Sequence, residues 1–429
     1  MHSDQINNRS SQVRLAGISS VIGTTIEWYD FFIYGTMAAL VFPQLFFPGD
    51  DPFISLMLSF TTFFVGFLAR PLGAIVFGHF GDRIGRKATL VVTIVLMGIS
   101  TFSIGIIPTY ESIGVWAPIL LVVMRIIQGF SIGGEWGGAV LLAMEWGSSK
   151  KRGFMASLPQ MGAPFGLIIS SAVVSLLIAW TGDSFETWGW RIGFWLSLLL
   201  VFFGLYIRLS VLETPYFRDI LVNKEIPKLP VLDVLSKYPK EVLLGTFTRL
   251  VSDVSFYIFI TFVVSYGTAY LGLDKSLLVN ATLVGALVAG ILVPFFGYLS
   301  DQVGRNTIYR WGIIAIILWA FPYYVLLNTK YSIMIVLTII ISLLIWSSMF
   351  ATISAIIAEN FPTSIRYTGA SVSFQLTGII GGGLAPLIAT RLLKSFESSW
   401  PISIYLIVVS IISLIALHNL KDHTGKEIQ

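Results

Sequence analysis

Long apolar runs alternate with short polar connections along the whole chain. A run of roughly 20 apolar residues crosses a bilayer as a helix, and longer runs cross with tilt. Twelve such runs are predicted, at about 16–42, 55–78, 88–108, 116–144, 153–180, 190–211, 241–270, 277–299, 307–327, 332–358, 365–391 and 400–418. Pro and Gly recur inside several of them, as membrane helices tolerate. The longest polar connection, about 212–240, separates the sixth run from the seventh. The predicted organisation is an N-terminal six-helix bundle (1–211), a linker (212–240) and a C-terminal six-helix bundle with a short tail (241–429). The central part of the linker is expected to form a short amphipathic helix on the membrane surface.

The two halves repeat. GHFGDRIGRK (Gly78 to Lys87) returns as GYLSDQVGRN (Gly297 to Asn306), so that Gly78, Asp82, Gly85 and Arg86 are each offset by 219 from Gly297, Asp301, Gly304 and Arg305. Glu145 and Arg152 are seven apart, as are Glu359 and Arg366, with an offset of 214. Parallel repeats of membrane helices, with a site at their interface, are a transporter architecture.

Composition narrows the class. Hydrophobic residues make up 55% of the chain and charged residues 12%, about half the charged share of a soluble protein. The fold class is therefore all-α and polytopic in a membrane. The absence of cysteine excludes disulfides, thiolate metal sites and cysteine nucleophiles. Four histidines, three of them at or near the ends, argue against a metal centre. The first apolar run is too long for a cleavable signal peptide and carries Glu27 and Asp30. Charge sets the orientation. With both ends in the cytoplasm, 19 Lys and Arg fall on that side, five on the other, and Arg70, Arg125 and Arg249 lie within spans. The net charge of +4 follows from these basic loops and is no nucleic-acid footprint.

Ionisable groups inside a membrane are costly and usually functional. Seven are counted: Glu27 and Asp30 in span one, Arg70 in span two, Arg125 and Glu135 in span four, Arg249 and Asp253 in span seven. Glu27 and Asp30 share a helix face, with Tyr34 one turn beyond. At about 1.5 Å per residue, Glu135 matches Glu27 in depth and Arg125 sits above Asp30. A carboxyl group buried among others holds a proton more readily, and an approaching guanidinium releases it. Asp30, Glu135 and Glu27 are therefore the candidates for proton coupling, with Asp30–Arg125 as the alternative of a fixed tie between helices. Arg125, Arg249, Tyr34, Gln128, Asp253, Gln375 and Arg70 are the candidates for substrate binding. Arg249 and Asp253, at i,i+4, are read either as an anion anchor from the second half or as a helix-stabilising pair. Trp28, Tyr257, Tyr266 and Trp346 are candidate apolar walls. Glycine runs at Gly133–Gly134, Gly137–Gly138 and Gly381–Gly383 are expected to allow close helix contact.

The repeated loop resembles the signature loop of the major facilitator superfamily. GTTIEWYDFFIYG (Gly23 to Gly35), ARPLGAIVFGHFGDRIGRK (Ala69 to Lys87), RIIQGFSIGGEWGGA (Arg125 to Ala139) and LETPYFR (Leu212 to Arg218) are similar to the metabolite:proton symporters within it. The resemblance is strong over the first 200 or so residues. It rests on the loop and the helix count in the second half. It implies the two-bundle major facilitator fold, with spans one and four lining a central cavity. It also implies a latch on the cytoplasmic side made by Asp82, Arg83 and Arg86 with Asp301 and Arg305, extended by Glu145, Arg152, Glu359 and Arg366. The expected function is proton-coupled import of a small organic acid or zwitterion by alternating access. A uniporter or exchanger is the first alternative and a transporter-like sensor the second; no constellation for enzyme catalysis is seen. No cofactor beyond the coupling proton, a monomeric state and a place in the plasma (inner) membrane are the remaining expectations.

Overall fold

Without water to satisfy them, backbone N–H and C=O groups in a bilayer pair within helices. The computed structural model describes residues 2–217, 219 and 229–426, with side chains from Ser11 onward, and is helical, with no strand among these residues. Twelve long helical segments follow one another: α1 His2–Leu40, α2 Pro52–Ile84, α3 Arg86–Ile104, α4 Trp116–Trp146, α5 Ser149–Phe185, α6 Trp190–Ser210, α7 Pro239–Tyr270, α8 Lys275–Val303, α9 Arg305–Asn328, α10 Ser332–Glu359, α11 Thr363–Phe396 and α12 Trp400–His418. Among the described residues, α2 to α12 are long and apolar enough to cross a membrane. The central part of the linker, where a surface helix is expected, lies almost wholly outside the described residues; the stretch after it, Pro230–Lys237, is helical.

α4 packs on α2 and α3, and α1 on α5 and α6; later in the chain α10 packs on α8 and α9, and α12 on α7 and α9. Between the two sets, α2 meets α11 and α8 meets α5, so the repeat in the sequence returns as a repeat in contact. The α2–α3 and α8–α9 turns explain two of the repeated glycines. Gly85 and Gly304 have φ of 113° and 107°, a region that a side chain makes costly. Small residues also set the α2–α4 distance: a Cβ on Gly133 would press into the Arg70 carbonyl, and one on Gly129 into that of Gly66. Gly134, Gly137 and Gly138 meet Phe77, Ser371 and Tyr367 in the same way.

α7 and α11 are not regular throughout. α7 has π-helical turns at Ile258–Phe262 and Tyr266–Tyr270, and α11 has one at Gly378–Gly383. Such turns interrupt the i to i−4 ladder and gather at functional sites. In α7 the first of them begins just past the cavity-lining residues described next, and in α11 the turn begins at one of those residues, Gly378.

Candidate transport site and latch

A narrow cavity of about 20 Å³ lies between the two sets of helices. α1 contributes Glu27 and Trp28, α2 Phe67 and Arg70, and α4 Trp136. From the second half come Arg249, Asp253, Phe256 and Tyr257 of α7, Trp346 and Phe350 of α10, and Phe374, Gln375 and Gly378 of α11. Helical spacing puts Arg249, Asp253 and Tyr257 on one face of α7. Arg249 pairs with Asp253 at 2.8 Å and also donates to the Phe374 carbonyl. Gln375 reaches the Ile132 carbonyl at 3.5 Å. The walls are rings: Trp346 stacks on Phe350 with centroids 4.3 Å apart, and Trp136 on Phe374 at 3.4 Å. Of the four expected apolar walls, Trp28, Tyr257 and Trp346 line the cavity, whereas Tyr266 points elsewhere and donates to Asn328 at 2.6 Å.

The other expected site residues lie behind this cavity, in the first half, and are not one cluster. Arg125 forms no ion pair with Asp30 among the described residues; two side chains stand between them. Arg125 donates to Gln128 Oε1 (2.5 Å), Gln128 Nε2 to Thr101 Oγ1 (2.8 Å), and Thr101 to Asp30 Oδ2 (2.9 Å). Tyr34 belongs to the same network: its ring lies under the Arg125 guanidinium at 4.1 Å, and its hydroxyl meets Thr62 at 2.5 Å. Axial depth alone placed Arg125 over Asp30, but Gln128, one turn along α4, fills the gap.

Glu135 has a different partner. Arg208 of α6 pairs with both of its oxygens and donates to the Leu90 carbonyl, while Thr93 donates to Glu135 at 2.7 Å. Arg208 lies near the end of its run and is therefore counted in the sequence as a loop residue. In the structure it is 2% exposed. A basic residue in the last turn of a span, at the depth of an acid two helices away, is the signal that identifies it.

At the end of the molecule where both termini lie, the repeated loop closes the two halves on each other. Asp82 accepts from the backbone N–H of Tyr367 (3.1 Å), the N–H of Thr368 (2.9 Å) and the Thr368 hydroxyl (2.8 Å), at the start of α11. Asp301 accepts from the N–H groups of Gly153 and Phe154 (2.7 and 2.9 Å), at the start of α5. A carboxylate over exposed N–H groups of a helix start is favourable electrostatically. Arg86 sits 3.7 Å from Asp82 and 3.5 Å from Glu145, and donates to the Thr363 carbonyl. Arg366 approaches Glu145 at 3.5 Å, and Arg305 pairs with Glu359 and with Asp301. Arg152 donates to the Lys426 carbonyl (2.6 Å) and to the Tyr216 hydroxyl (2.8 Å). Arg83 departs from expectation. It points outward and its one polar neighbour among the described residues is His79 at 3.4 Å, because its place on α2 faces away from the seam. Arg218 of the LETPYFR motif lies outside the described residues.

The comparisons agree with this geometry. Residues 20–386 match the family model of the Major Facilitator Superfamily. The chain is 40% identical over 419 residues to the inner membrane metabolite transport protein YhjE of Escherichia coli strain K12, covering 96% of this chain and 94% of that one. It is also 40% identical to the shikimate transporter of the same strain (96% and 95% covered), and 33% identical to its proline/betaine transporter (97% and 85%). Among solved structures, the proton:xylose symporter XylE superposes with a TM-score of 0.78 at 15% identity over 98% of both chains. With its twin loops, its interfacial cavity and these matches, the chain belongs to the major facilitator superfamily, as a multi-pass membrane transporter.

Proposed function

We propose that the protein is a proton-coupled symporter that imports a small organic acid or zwitterion by alternating access. The observation that carries this reading is a ring-walled cavity between two repeated halves, holding Glu27, Arg70, Arg249 and Asp253 within the membrane. A site at the repeat interface, with the halves rocking about it, is the geometry of secondary transport. Both termini are assigned to the cytoplasm by the excess of Lys and Arg in the loops on that side. The Asp82 and Asp301 caps then hold the cytoplasmic side shut, and 1–211 and 241–429 are the moving bundles. Asp30 is a candidate coupling carboxyl in this reading, beside Glu27: the Arg125–Gln128–Thr101 chain ends on it and relays any shift of Arg125.

The test is uptake into proteoliposomes. An acidic exterior should drive accumulation, and a protonophore should abolish it. Equal uptake with and without the gradient would leave a uniporter. That second reading has one observation in its favour, the pairing of Glu135 by Arg208, which gives that carboxylate a fixed partner.

A further inference from the structure

Two side chains in the cavity stand apart from every other buried ion. Each of the other buried arginines reaches a carboxylate, a side-chain amide or a backbone carbonyl. Arg70, 7% exposed, makes no hydrogen bond or ion pair among the described residues. Its guanidinium rests only on rings, 4.8 Å from the centroid of Phe31 and 4.5 Å from that of Phe67. Among the buried carboxylates, Glu27 alone has no hydrogen bond or ion pair within the described residues, and it is 5% exposed. Both residues line the same cavity.

A buried charge left without a partner is expensive unless something arrives to meet it. Aromatic faces fix the plane of Arg70 and leave its N–H edge open. That edge is a fork that matches one carboxylate. The rest of the cavity offers no second cation, since Arg249 is balanced by Asp253. A carboxylate on Arg70 would share a small, enclosed space with Glu27, and two like charges there repel unless one is neutralised. The groups facing Glu27 are Asp30 on its own helix, Arg70 from α2, Glu135 from α4 with its charge balanced by Arg208 of α6, and Arg249, Asp253 and Tyr257 from α7. α5 carries no ionisable side chain between Gly153 and Gly182. With Glu27 ionised the cavity is neutral; with Glu27 protonated it carries one positive charge and accepts one negative one.

We propose that Arg70 and Glu27 form a single co-binding site: Arg70 takes the carboxylate of a flat monocarboxylate, and Glu27 takes the proton that makes room for it. The proton comes from solvent and protonates the carboxylate oxygen of Glu27, with one proton bound per substrate. Trp28, Phe256, Trp346 and Phe350 line the cavity and offer the substrate body an aromatic surface to pack against. A dicarboxylate brings a second charge that meets Asp253 and no free cation. The inference rests on the symport reading but names a different carboxyl from Asp30.

Binding to the full-length protein in nanodiscs tests it, read by tryptophan fluorescence with benzoate, cyclohex-1-ene-1-carboxylate, benzamide, phthalate and glycine betaine as probes. Either monocarboxylate should bind more tightly as pH falls, by up to about tenfold per pH unit once Glu27 is ionised. A pH indicator should report one proton taken up per ligand. Benzamide, phthalate and glycine betaine should bind more weakly. Arg70→Gln should lose the preference for carboxylate over amide. Arg70→Lys should retain that preference with about tenfold weaker affinity, because a point charge replaces the fork. Glu27→Gln should bind the monocarboxylate without pH dependence and without proton uptake. The proposal is overturned by any of four results: no binding of either monocarboxylate, tighter binding of phthalate or glycine betaine, unchanged binding in Arg70→Gln, or proton uptake that persists in Glu27→Gln. Binding with proton uptake but without gradient-driven accumulation would sink the symport reading and leave this site standing. Gradient-driven accumulation that Glu27→Gln does not alter would do the reverse.

Discussion

Arg208 and Glu135 form a buried ion pair inside the first half. Both are almost completely enclosed, and each oxygen of Glu135 has a donor. Removing one partner leaves the other buried and unpaired, which costs about 3–5 kcal/mol, whereas apolar replacement of both is often near neutral. Glu135→Leu should therefore lower the melting temperature and the yield of folded protein, and Arg208→Met added to it should restore much of both. A double variant that folds but no longer accumulates substrate would return Glu135 to the coupling path. Arg125 sits in a different kind of network. Its plane lies over the Tyr34 ring while its edge holds Gln128. Lysine cannot satisfy both contacts, so Arg125→Lys should cut transport severely with normal membrane insertion, and near-normal uptake would remove it from the mechanism. These assignments mark what sequence could and could not convey. Glu27, Arg70, Arg249 and Asp253 are legible because a charge inside an apolar run is conspicuous. Arg208 is hidden by standing at the end of one. The cavity walls Trp136, Phe350 and Phe374 are hidden because aromatic residues are common throughout the spans and only packing sorts them.

At the level of helices, two seams matter. The first joins α2 to α4 through glycines with no room for a side chain. Gly133→Leu should push the helices apart and dislodge Arg70, whose carbonyl lies against that glycine; a drop in folded yield on size-exclusion chromatography is the expected result. The second joins each repeated loop to a helix start in the opposite half. Asp82→Asn keeps one acceptor oxygen and loses the charge over the α11 start, a change of about 0.3–1 kcal/mol at the usual strength of such contacts, and more when buried. The variant should turn over more slowly while its substrate affinity stays within a few-fold, since the loop lies outside the cavity. An affinity that fell as steeply as the rate would place Asp82 in the binding site instead. The repeat itself was readable because Gly85 and Gly304 answer to a backbone requirement that tolerates little else. The π-helical turns of α7 and α11 were not, because a mixed run of apolar residues and glycines carries no periodic mark of an extra residue per turn.

For the whole molecule, the proposed cycle links the cavity to the seam at the terminal end. If Asp30 carries the coupling proton, Asp30→Asn mimics the loaded state. Net accumulation should vanish, while exchange of labelled for unlabelled substrate, which needs no proton movement, survives at least in part. Accumulation that persists in Asp30→Asn would shift the coupling to Glu27. The long apolar helices and the duplication follow from hydropathy and spacing, and the latch from the resemblance that its loop carries. The division of labour between a charged cavity and a hydrogen-bonded chain behind it does not, because helix rotation decides which of Glu27 and Asp30 looks inward.

The caps on α11 and α5 have a further consequence, in genetics. Four of the six hydrogen-bond donors to Asp82 and Asp301 are main-chain amides, and codon changes cannot move a main-chain amide from one residue to another. A strain carrying Asp82→Asn has little to gain from substitutions at the positions it touches. Its suppressors should instead map far away, to residues that weaken the opposite closure. Their positions in a selection for restored growth would outline the gate on the far side of the membrane.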